Sequence, residues 1–203
     1  MTDDLPALRV YAAHGAALAQ RYETIEPARL FAPVLDLLPP PPARLADIGA
    51  GSGRDAAWFA GQGYRVTAVE PVAQLRAEGQ QRHRDTGIDW IADHLPMLSG
   101  LHRLGHRFDL VTGIAVWHHL DADQQARAMA GLSGLLADDG LLILSLRHGP
   151  LAPEAGVYLA DPAHAISLAK DLGLTVLRQV KAGSVQPGNL VEGIDWTWLV
   201  LAR

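Results

Sequence analysis

The fold is decided by residues 44–70, which read RLADIGAGSGRDAAWFAGQGYRVTAVE. Apolar runs at 44–48 and 64–69 predict two strands, and segment 55–62 between them predicts a helix. Three glycines, Gly49, Gly51 and Gly53, predict a tight turn from the first strand into that helix. A strand, a helix and a strand in this order indicate a parallel pair joined by a right-handed crossover.

The same alternation continues toward residue 203. Helices are predicted over 72–85, 121–136 and 162–172, and strands over 88–91, 108–114 and 140–146. Asp161 is expected to cap the last helix and Gly173 to end it. Segments 174–180 and 194–201 predict two strands joined by a loop without a helix, so they should pair antiparallel. The predicted class is α/β, with a doubly wound sheet whose last strand is antiparallel.

The residues before the first strand predict a separate helical segment. Its side chains at spacings of three and four share one helix face: Tyr11, His14, Leu18 and Tyr22. Four prolines at 39–42 end an apolar stretch at 30–38, because proline cannot continue a helix. We therefore expect an N-terminal helical lid at residues 1–42 and a main domain at residues 43–203.

Composition excludes several kinds of protein. A net charge of -5 gives no uniform basic field for a nucleic acid, so we expect no such partner. The absence of cysteine excludes disulfides, thiolate metal sites and a cysteine nucleophile. No apolar run approaches the roughly 20 residues of a membrane span, and Asp3 and Asp4 are unlike the start of a signal peptide. A cytoplasmic protein without a membrane partner is expected.

The glycine-rich turn permits two interpretations. A nicotinamide-dependent oxidoreductase normally has G-x-G-x-x-G, in which the helix start receives a pyrophosphate. Here the order is G-x-G-x-G, and an acid, Asp47, precedes it. An acid and exposed backbone groups suit the ammonium and carboxylate of an amino acid better than a pyrophosphate. Glu70 follows the second strand at an exposed end, where its carboxylate can accept both hydroxyls of a ribose.

The ordered set of motifs resembles the class I S-adenosylmethionine-dependent methyltransferases. The similar segments are DIGAGSG at 47–53, VEP at 69–71, ADHLP at 92–96, FDLV at 108–111 and WHHL at 117–120. The resemblance covers roughly residues 45–203. It implies a Rossmann-like, seven-stranded sheet with an inserted antiparallel last strand, and S-adenosyl-L-methionine as cofactor. Within this family the chain resembles the bacterial enzymes that methylate small molecules.

The resemblance also implies residue roles. Asp47 and the backbone at Gly49, Ala50 and Gly51 would hold the methionine moiety. Glu70 with Pro71 would hold the ribose, and Asp93 with His94 and Leu95 the adenine. Asp93 could instead cap a surface turn, and Arg54 and Asp55 could simply pair with each other. Further contacts with the cofactor are expected from three residues of the lid and of the fourth-strand loop: Tyr11, Tyr22 and Ile114.

The methyl acceptor should lie beside the loop at 113–120, because ligands collect beyond the carboxyl ends of parallel strands. His118 is the predicted general base, since its ordinary pKa near 6.5 suits neutral conditions. Substrate contacts are predicted for Trp117, Arg147 and His148. The loop lacks the Asn/Asp-Pro-Pro-Tyr sequence typical of enzymes that methylate DNA adenine or protein glutamine. No metal site is predicted, because His102 and His106 have no third ligand nearby in sequence.

Three classes of protein remain open at this stage. The favoured one is a methyltransferase that acts on a small molecule by in-line transfer. A catalytically silent S-adenosylmethionine-binding module and a nicotinamide-dependent oxidoreductase are the alternatives. The sequence does not identify the acceptor, and it does not determine the oligomeric state.

Overall fold

The computed structural model describes residues 5–203, so residues 1–4 of the predicted lid segment lie outside the described range. Its centre is one sheet in the order β3-β2-β1-β4-β5-β7-β6. The strands are β1 (Arg44–Ile48), β2 (Arg65–Val69), β3 (Asp89–Ile91), β4 (Phe108–Gly113), β5 (Leu136–His148), β6 (Thr175–Gly183) and β7 (Asp195–Ala202). Strands β1 to β5 pair in parallel, whereas β7 pairs antiparallel with both β5 and β6. The predicted fold class is therefore confirmed.

Helices cover both faces and one end of this sheet. They are α1 (Pro6–Tyr22), α2 (Pro27–Leu30), α3 (Arg54–Gly61), α4 (Ala73–Arg82), α5 (Ser99–Arg103), α6 (Ala122–Leu135), α7 (Pro162–Asp171) and α8 (Pro187–Val191). Single 3-10 turns occur at Leu35–Leu37, Trp117–His119 and Pro153–Ala155. No helix within the described range has the length and apolar character needed to span a bilayer.

Local sequence explains where the longer helices begin. Asp121 and Gln124 form a reciprocal capping box at the start of α6. The Asp161 side chain accepts from the amide of Ala163 at 3.0 Å and caps α7, as predicted. Gly173 follows that helix with φ 79°, a left-handed conformation that glycine adopts without strain.

One sequence prediction about the end of the chain is wrong. The loop between β6 and β7 contains α8, although Pro187, Gly188 and Asn189 are typical of irregular loops. Proline is favoured at the first position of a helix, where its missing N–H costs nothing, and this allows the short helix to form.

The buried apolar residues form two main clusters that lie on opposite faces of the sheet. Alternation along β1 shows the division, because Leu45 belongs to one cluster and Ala46 and Ile48 belong to the other. The Leu45 cluster also contains Phe31 and Val34, both fully buried. Residues around 31–34 therefore belong to the core, although they lie inside the predicted lid segment. The part of that segment that lies outside the two main clusters is mostly α1.

Helix α1 packs across α4 through a small third cluster. Ala19 of α1 and Val72 and Leu75 beside α4 are buried there, with Tyr11 at the edge. Gly15 permits the close approach, because a Cβ added to it would lie 3.2 Å from Cβ of Gln74. This packing places α1 over the carboxyl ends of the parallel strands.

Candidate active site

A cavity of about 750 Å³ lies at the carboxyl ends of the parallel strands. Its walls come from the glycine loop after β1, the ends of β2 and β3, the loop after β4, the end of β5 and the loop between β6 and β7. Helix α1 covers it. This is the edge of the sheet at which ligands of doubly wound proteins bind.

The glycine loop turns sharply because every second residue in it has a positive φ angle. Gly49, Gly51 and Gly53 have φ of 73°, 57° and 82°. A Cβ on Gly49 would overlap the side chain of Val116, so only glycine allows the loops after β1 and β4 to meet. A Cβ on Gly51 would lie 3.5 Å from the ring of Tyr22. The end of α1 therefore lies directly against this loop.

Glu70 is a buried side chain that holds the loop together. Its Oε2 accepts from the amide of Gly51 at 2.8 Å and its Oε1 from the amide of Val72 at 2.7 Å. Burial raises the pKa of Glu70 to about 7, although both backbone hydrogen bonds act in the opposite direction. We expected the end of β2 to be exposed, but Glu70 is only 4% exposed. Each carboxylate oxygen still has a second lone pair for a ligand in the cavity.

Asp47 lies on the same wall and is almost fully buried. Its Oδ1 accepts from the hydroxyl of Thr112 at 2.8 Å. Burial, with the nearby Asp55 carboxylate, raises the pKa of Asp47 above its ordinary value. A cation bound beside Asp47 would relieve the cost of keeping this carboxylate ionised.

Arg54 and Asp55 are neighbours in sequence and form an ion pair with each other, as one interpretation of the sequence expected. Nε and Nη2 of Arg54 donate to the two oxygens of Asp55 at 2.8 and 2.7 Å. Nη1 of Arg54 also donates to the backbone oxygen of Tyr22 at 3.1 Å. The pair therefore ties the end of α1 to the start of α3.

Asp93 lines the cavity and also caps a helix. Its two oxygens accept from the amides of His94 and Leu101, both at 2.9 Å. Leu101 is in the first turn of α5, so Asp93 supplies the cap that the preceding residue, Leu98, cannot. His94 Nδ1 donates to the oxygen of Leu95 at 2.7 Å, and both residues line the cavity with Pro71 and Ile114.

His119 joins α1 to the loop after β5. Its Nδ1 lies 2.8 Å from the oxygen of Gly156, and since a carbonyl can only accept, Nδ1 carries the proton. Nε2 of His119 therefore accepts from the hydroxyl of Tyr11 at 3.0 Å. A Cβ on Gly156 would lie 2.7 Å from the nitrogen of Ala7, so this glycine lets α1 touch the loop. On the other side of the cavity, Nη2 of Arg21 donates to Gln186 at 3.0 Å.

His118 lines the cavity, and its environment keeps it neutral. The side chain is 6% exposed, and Nδ1 is fully buried without a hydrogen-bond partner. Burial, with smaller contributions from the charges of His119 and Arg147, holds the pKa of His118 well below 6.5. The ring centroids of His118 and His119 lie 4.1 Å apart, and those of His118 and Trp196 lie 5.9 Å apart with the ring planes at 68°.

Two predicted substrate contacts are not brought to the cavity. Trp117 is fully buried in the core, because the 3-10 turn at Trp117–His119 directs it inward while His118 faces the cavity. His148 is hydrogen-bonded to Thr197 at 2.8 Å and does not line the cavity. A substrate contact is therefore no longer expected from either residue. Arg147, the third, does line the cavity.

Of the wall formed by the last three strands, Arg147 was predicted from the sequence and its neighbours on β7 and β6 were not. Arg147, Trp196 and Ala182 are register neighbours across β5, β7 and β6, and all three line the cavity. Trp196 has the spacing of a core residue, so only strand register could have placed it beside Arg147. Among residues 5–203, no three histidine, aspartate or glutamate side chains are grouped as a metal ion would require.

The sheet order and the cavity at its carboxyl edge define a Rossmann-like, cofactor-binding α/β protein. Solved structures share this fold. Magnesium protoporphyrin IX methyltransferase from Synechocystis PCC 6803, with bound S-adenosylhomocysteine, is 16% identical, with a TM-score of 0.75 over 98% of this chain and 100% of that one. The 1,6-didemethyltoxoflavin-N1-methyltransferase of Burkholderia thailandensis is 20% identical, with a TM-score of 0.73 over 98% and 87%.

The sequence comparison defines the family. A model described as a methyltransferase domain matches residues 20–197. No curated protein matches the chain in sequence. The chain belongs to the methyltransferase-domain family, and the resemblance to class I S-adenosylmethionine-dependent methyltransferases is confirmed. The match begins inside α1, so it includes the Tyr22 end of the helix that covers the cavity.

Proposed function

We propose that this chain is an enzyme that transfers the methyl group of S-adenosylmethionine to a small molecule bound in the same cavity. One observation carries the proposal. The buried acids of the glycine loop and the neutral His118 line one continuous, covered cavity of about 750 Å³. That volume is within the usual range for small-molecule sites, roughly 300 to 1,000 Å³. Donor and acceptor would therefore meet out of bulk water.

The residues at the glycine loop fit the cofactor. Asp47 would pair with the ammonium of the methionine moiety, which favours its ionised form. Glu70 would accept from the ribose hydroxyls with the lone pairs not used by Gly51 and Val72. Asp93, His94, Leu95, Pro71 and Ile114 would surround the adenine side. When bound, the cofactor supplies a methyl group on a sulfonium, which an acceptor nucleophile displaces in line.

The chain itself has three tasks in this reaction. Helix α1 and the loop that contains Gly156 exclude water, because His119 and Tyr11 hold them together over the cavity. Tyr22 and Tyr11 line the cavity and place aromatic rings near the cofactor, where a ring face attracts a cation by about 1 kcal/mol. His118 accepts the proton that an O–H or N–H acceptor must lose, and Nε2 is the expected atom because Nδ1 is enclosed.

Labelled transfer tests this proposal. The purified chain is incubated with methyl-tritiated S-adenosylmethionine and separate fractions of small metabolites, protein and RNA. We expect label in a small-molecule fraction. Label found only in protein or RNA would contradict the small-molecule proposal. Tight binding of S-adenosylhomocysteine without any transfer would instead identify a silent binding module.

A further inference from the structure

Charge is divided between the two halves of the cavity. The half at the glycine loop contains the carboxylates that have no cationic side chain as a direct partner: Asp47, Glu70 and Asp93. The half formed by α1, α2 and the last strands contains guanidinium groups: Arg21, Arg29 and Arg147. One exposed acid, Glu192, lies in this second half. An acidic half suits the cationic donor, so the basic half suits an acceptor of the opposite charge.

Arg147 is the basic residue whose charge acts on His118 and His119. Nη1 of Arg147 donates to the oxygen of Pro150 at 2.8 Å, and within the described part of the chain no carboxylate pairs with it. Its charge lowers the pKa of both His118 and His119, after the larger effect of burial. The field of Arg147 therefore reaches the cavity without being neutralised, and a bound anion would neutralise it.

The floor beside Arg147 is apolar and aromatic. Trp196 lies directly opposite Arg147 on β7, and Ala182 continues the row on β6. Side chains directly opposite across antiparallel strands have Cβ atoms roughly 4.5 to 5.5 Å apart. Trp196 is partly exposed to the cavity, and His118 borders it. A cation at the edge of an indole surface is suited to an apolar ring that carries one anionic group.

The cofactor's own carboxylate is a poorer match for Arg147. The cofactor loop follows β1, whereas Arg147 ends β5, and β4 lies between these strands. Two strand spacings amount to roughly 9 to 10 Å. A phosphate monoester is also a poorer match, because Arg21 and Arg29 lie on α1 and α2, outside the strand row that contains Arg147, so a dianion on Arg147 would meet one guanidinium.

We propose that the methyl acceptor is a small aromatic carboxylic acid, with its carboxylate on Arg147 and its ring on Trp196. This rests on the proposed function. The His118 side chain then lies beside the ring, where it can take a proton from a hydroxyl or amino substituent. Arg147 is thus a specificity-determining residue, and the chain should discriminate acids from the matching amides.

Ligand-observed NMR tests this on the chain saturated with S-adenosylhomocysteine. The probes are acetate, benzoate, 1-naphthoate, benzamide, 1-naphthamide and phenyl phosphate. We expect affinity to rise from acetate to benzoate to 1-naphthoate, and each amide to bind at least tenfold more weakly than its acid. Arg147→Met should lower the affinity for the acids at least tenfold. Arg147→Lys should lower it less, because lysine keeps the positive charge but not the two parallel N–H donors of the guanidinium. Arg65→Met is the matched control, since Arg65 is exposed at the amino end of β2.

Several results would overturn the inference. They are amides that bind as well as acids, acetate that binds as well as 1-naphthoate, tighter binding of phenyl phosphate than of benzoate, or no binding of any acid. An Arg147→Met variant with weakened affinity for S-adenosylhomocysteine would assign Arg147 to the cofactor instead. The affinity of the wild-type chain for S-adenosylhomocysteine is measured first, because its failure would refute the proposed function and leave no basis for the inference.

Discussion

At the scale of single residues, Glu70 holds the glycine loop in shape through two backbone hydrogen bonds. It accepts from the amides of Gly51 and Val72, and it is buried. Glu70→Ala should therefore lower the free energy of unfolding by about 2 to 6 kcal/mol, because two buried donors lose their acceptor at roughly 1 to 3 kcal/mol each. Urea denaturation measures this. Unchanged stability would show that water or the loop itself replaces the carboxylate.

Glu70→Gln separates binding from stability. Glutamine keeps one acceptor oxygen, so the variant should stay folded but bind S-adenosylhomocysteine about tenfold or more weakly, since charge-assisted bonds are lost. Isothermal titration on the folded variant gives the affinity. If the affinity equals that of the wild type, Glu70 does not hold the ribose.

The pH dependence of cofactor binding follows from the same carboxylate and from Asp47, whose pKa is also raised by burial. The pKa of Glu70 is about 7 in the free chain, and hydrogen-bond donors on a ligand favour the ionised form. Affinity for S-adenosylhomocysteine should therefore be constant well above pH 7 and should fall as pH drops below 7, by up to tenfold per unit for each of these two carboxylates. Glu70→Gln should remove much of this dependence. A wild-type affinity that is flat between pH 6 and 8 would contradict the proposal.

His118 should control the pH dependence of the rate. Because its pKa is held well below 6.5, the neutral base is already the main form at pH 7. The rate should therefore rise with pH only below 6.5 and be level at neutral pH. His118→Gln should lower the rate by roughly a hundredfold and remove that acidic limb, with cofactor affinity unchanged. The exposed His106 offers a matched control, His106→Gln. An unchanged rate and profile in His118→Gln would make His118 a packing residue.

At the scale of helices and strands, α1 packs over the cavity, whereas Phe31 and Val34, which follow α2, belong to the core. The contacts of α1 over the cavity are a few hydrogen bonds and a small cluster, whereas Phe31 and Val34 are fully buried beneath the sheet. Deleting residues 1–26 should leave a cooperative melting transition and remove most of the activity. Deleting residues 1–42 should abolish the transition. Loss of cooperative melting in the shorter deletion would show that α1 is structural.

Much of this architecture could be predicted from the sequence, because buried parallel strands and amphipathic helices repeat with different periods. The strand β1 was predicted at its observed bounds. Helices α5 and α8 were not predicted, since each has five residues, too few to show a period. The sequence also did not predict which way some side chains point. Trp117 and His118 are neighbours in sequence, yet the 3-10 turn directs one to the core and the other to the cavity.

Register explains what was missed at the acceptor end. Trp196 has the alternating spacing of a core residue along β7, and nothing local shows that it faces Arg147. The nucleotide end was easier, because the glycines and Glu70 lie within one strand-helix-strand unit and need no distant partner to be placed. Asp93 lies between these two cases. The sequence allowed either a cap or a cofactor contact for it, and in the structure Asp93 both caps α5 and lines the cavity.

At the scale of the whole molecule, one edge of the sheet contains the glycine loop, the candidate base His118 and the proposed acceptor contacts Arg147 and Trp196. Helix α1 lies over all of them. Isothermal titration with S-adenosylhomocysteine, S-adenosylmethionine and NAD tests this arrangement most directly. We expect both S-adenosyl compounds to bind with a stoichiometry of one per chain, and NAD to give no heat above dilution. Binding of NAD in the absence of S-adenosylhomocysteine binding would contradict the assignment of this cavity to methyl transfer.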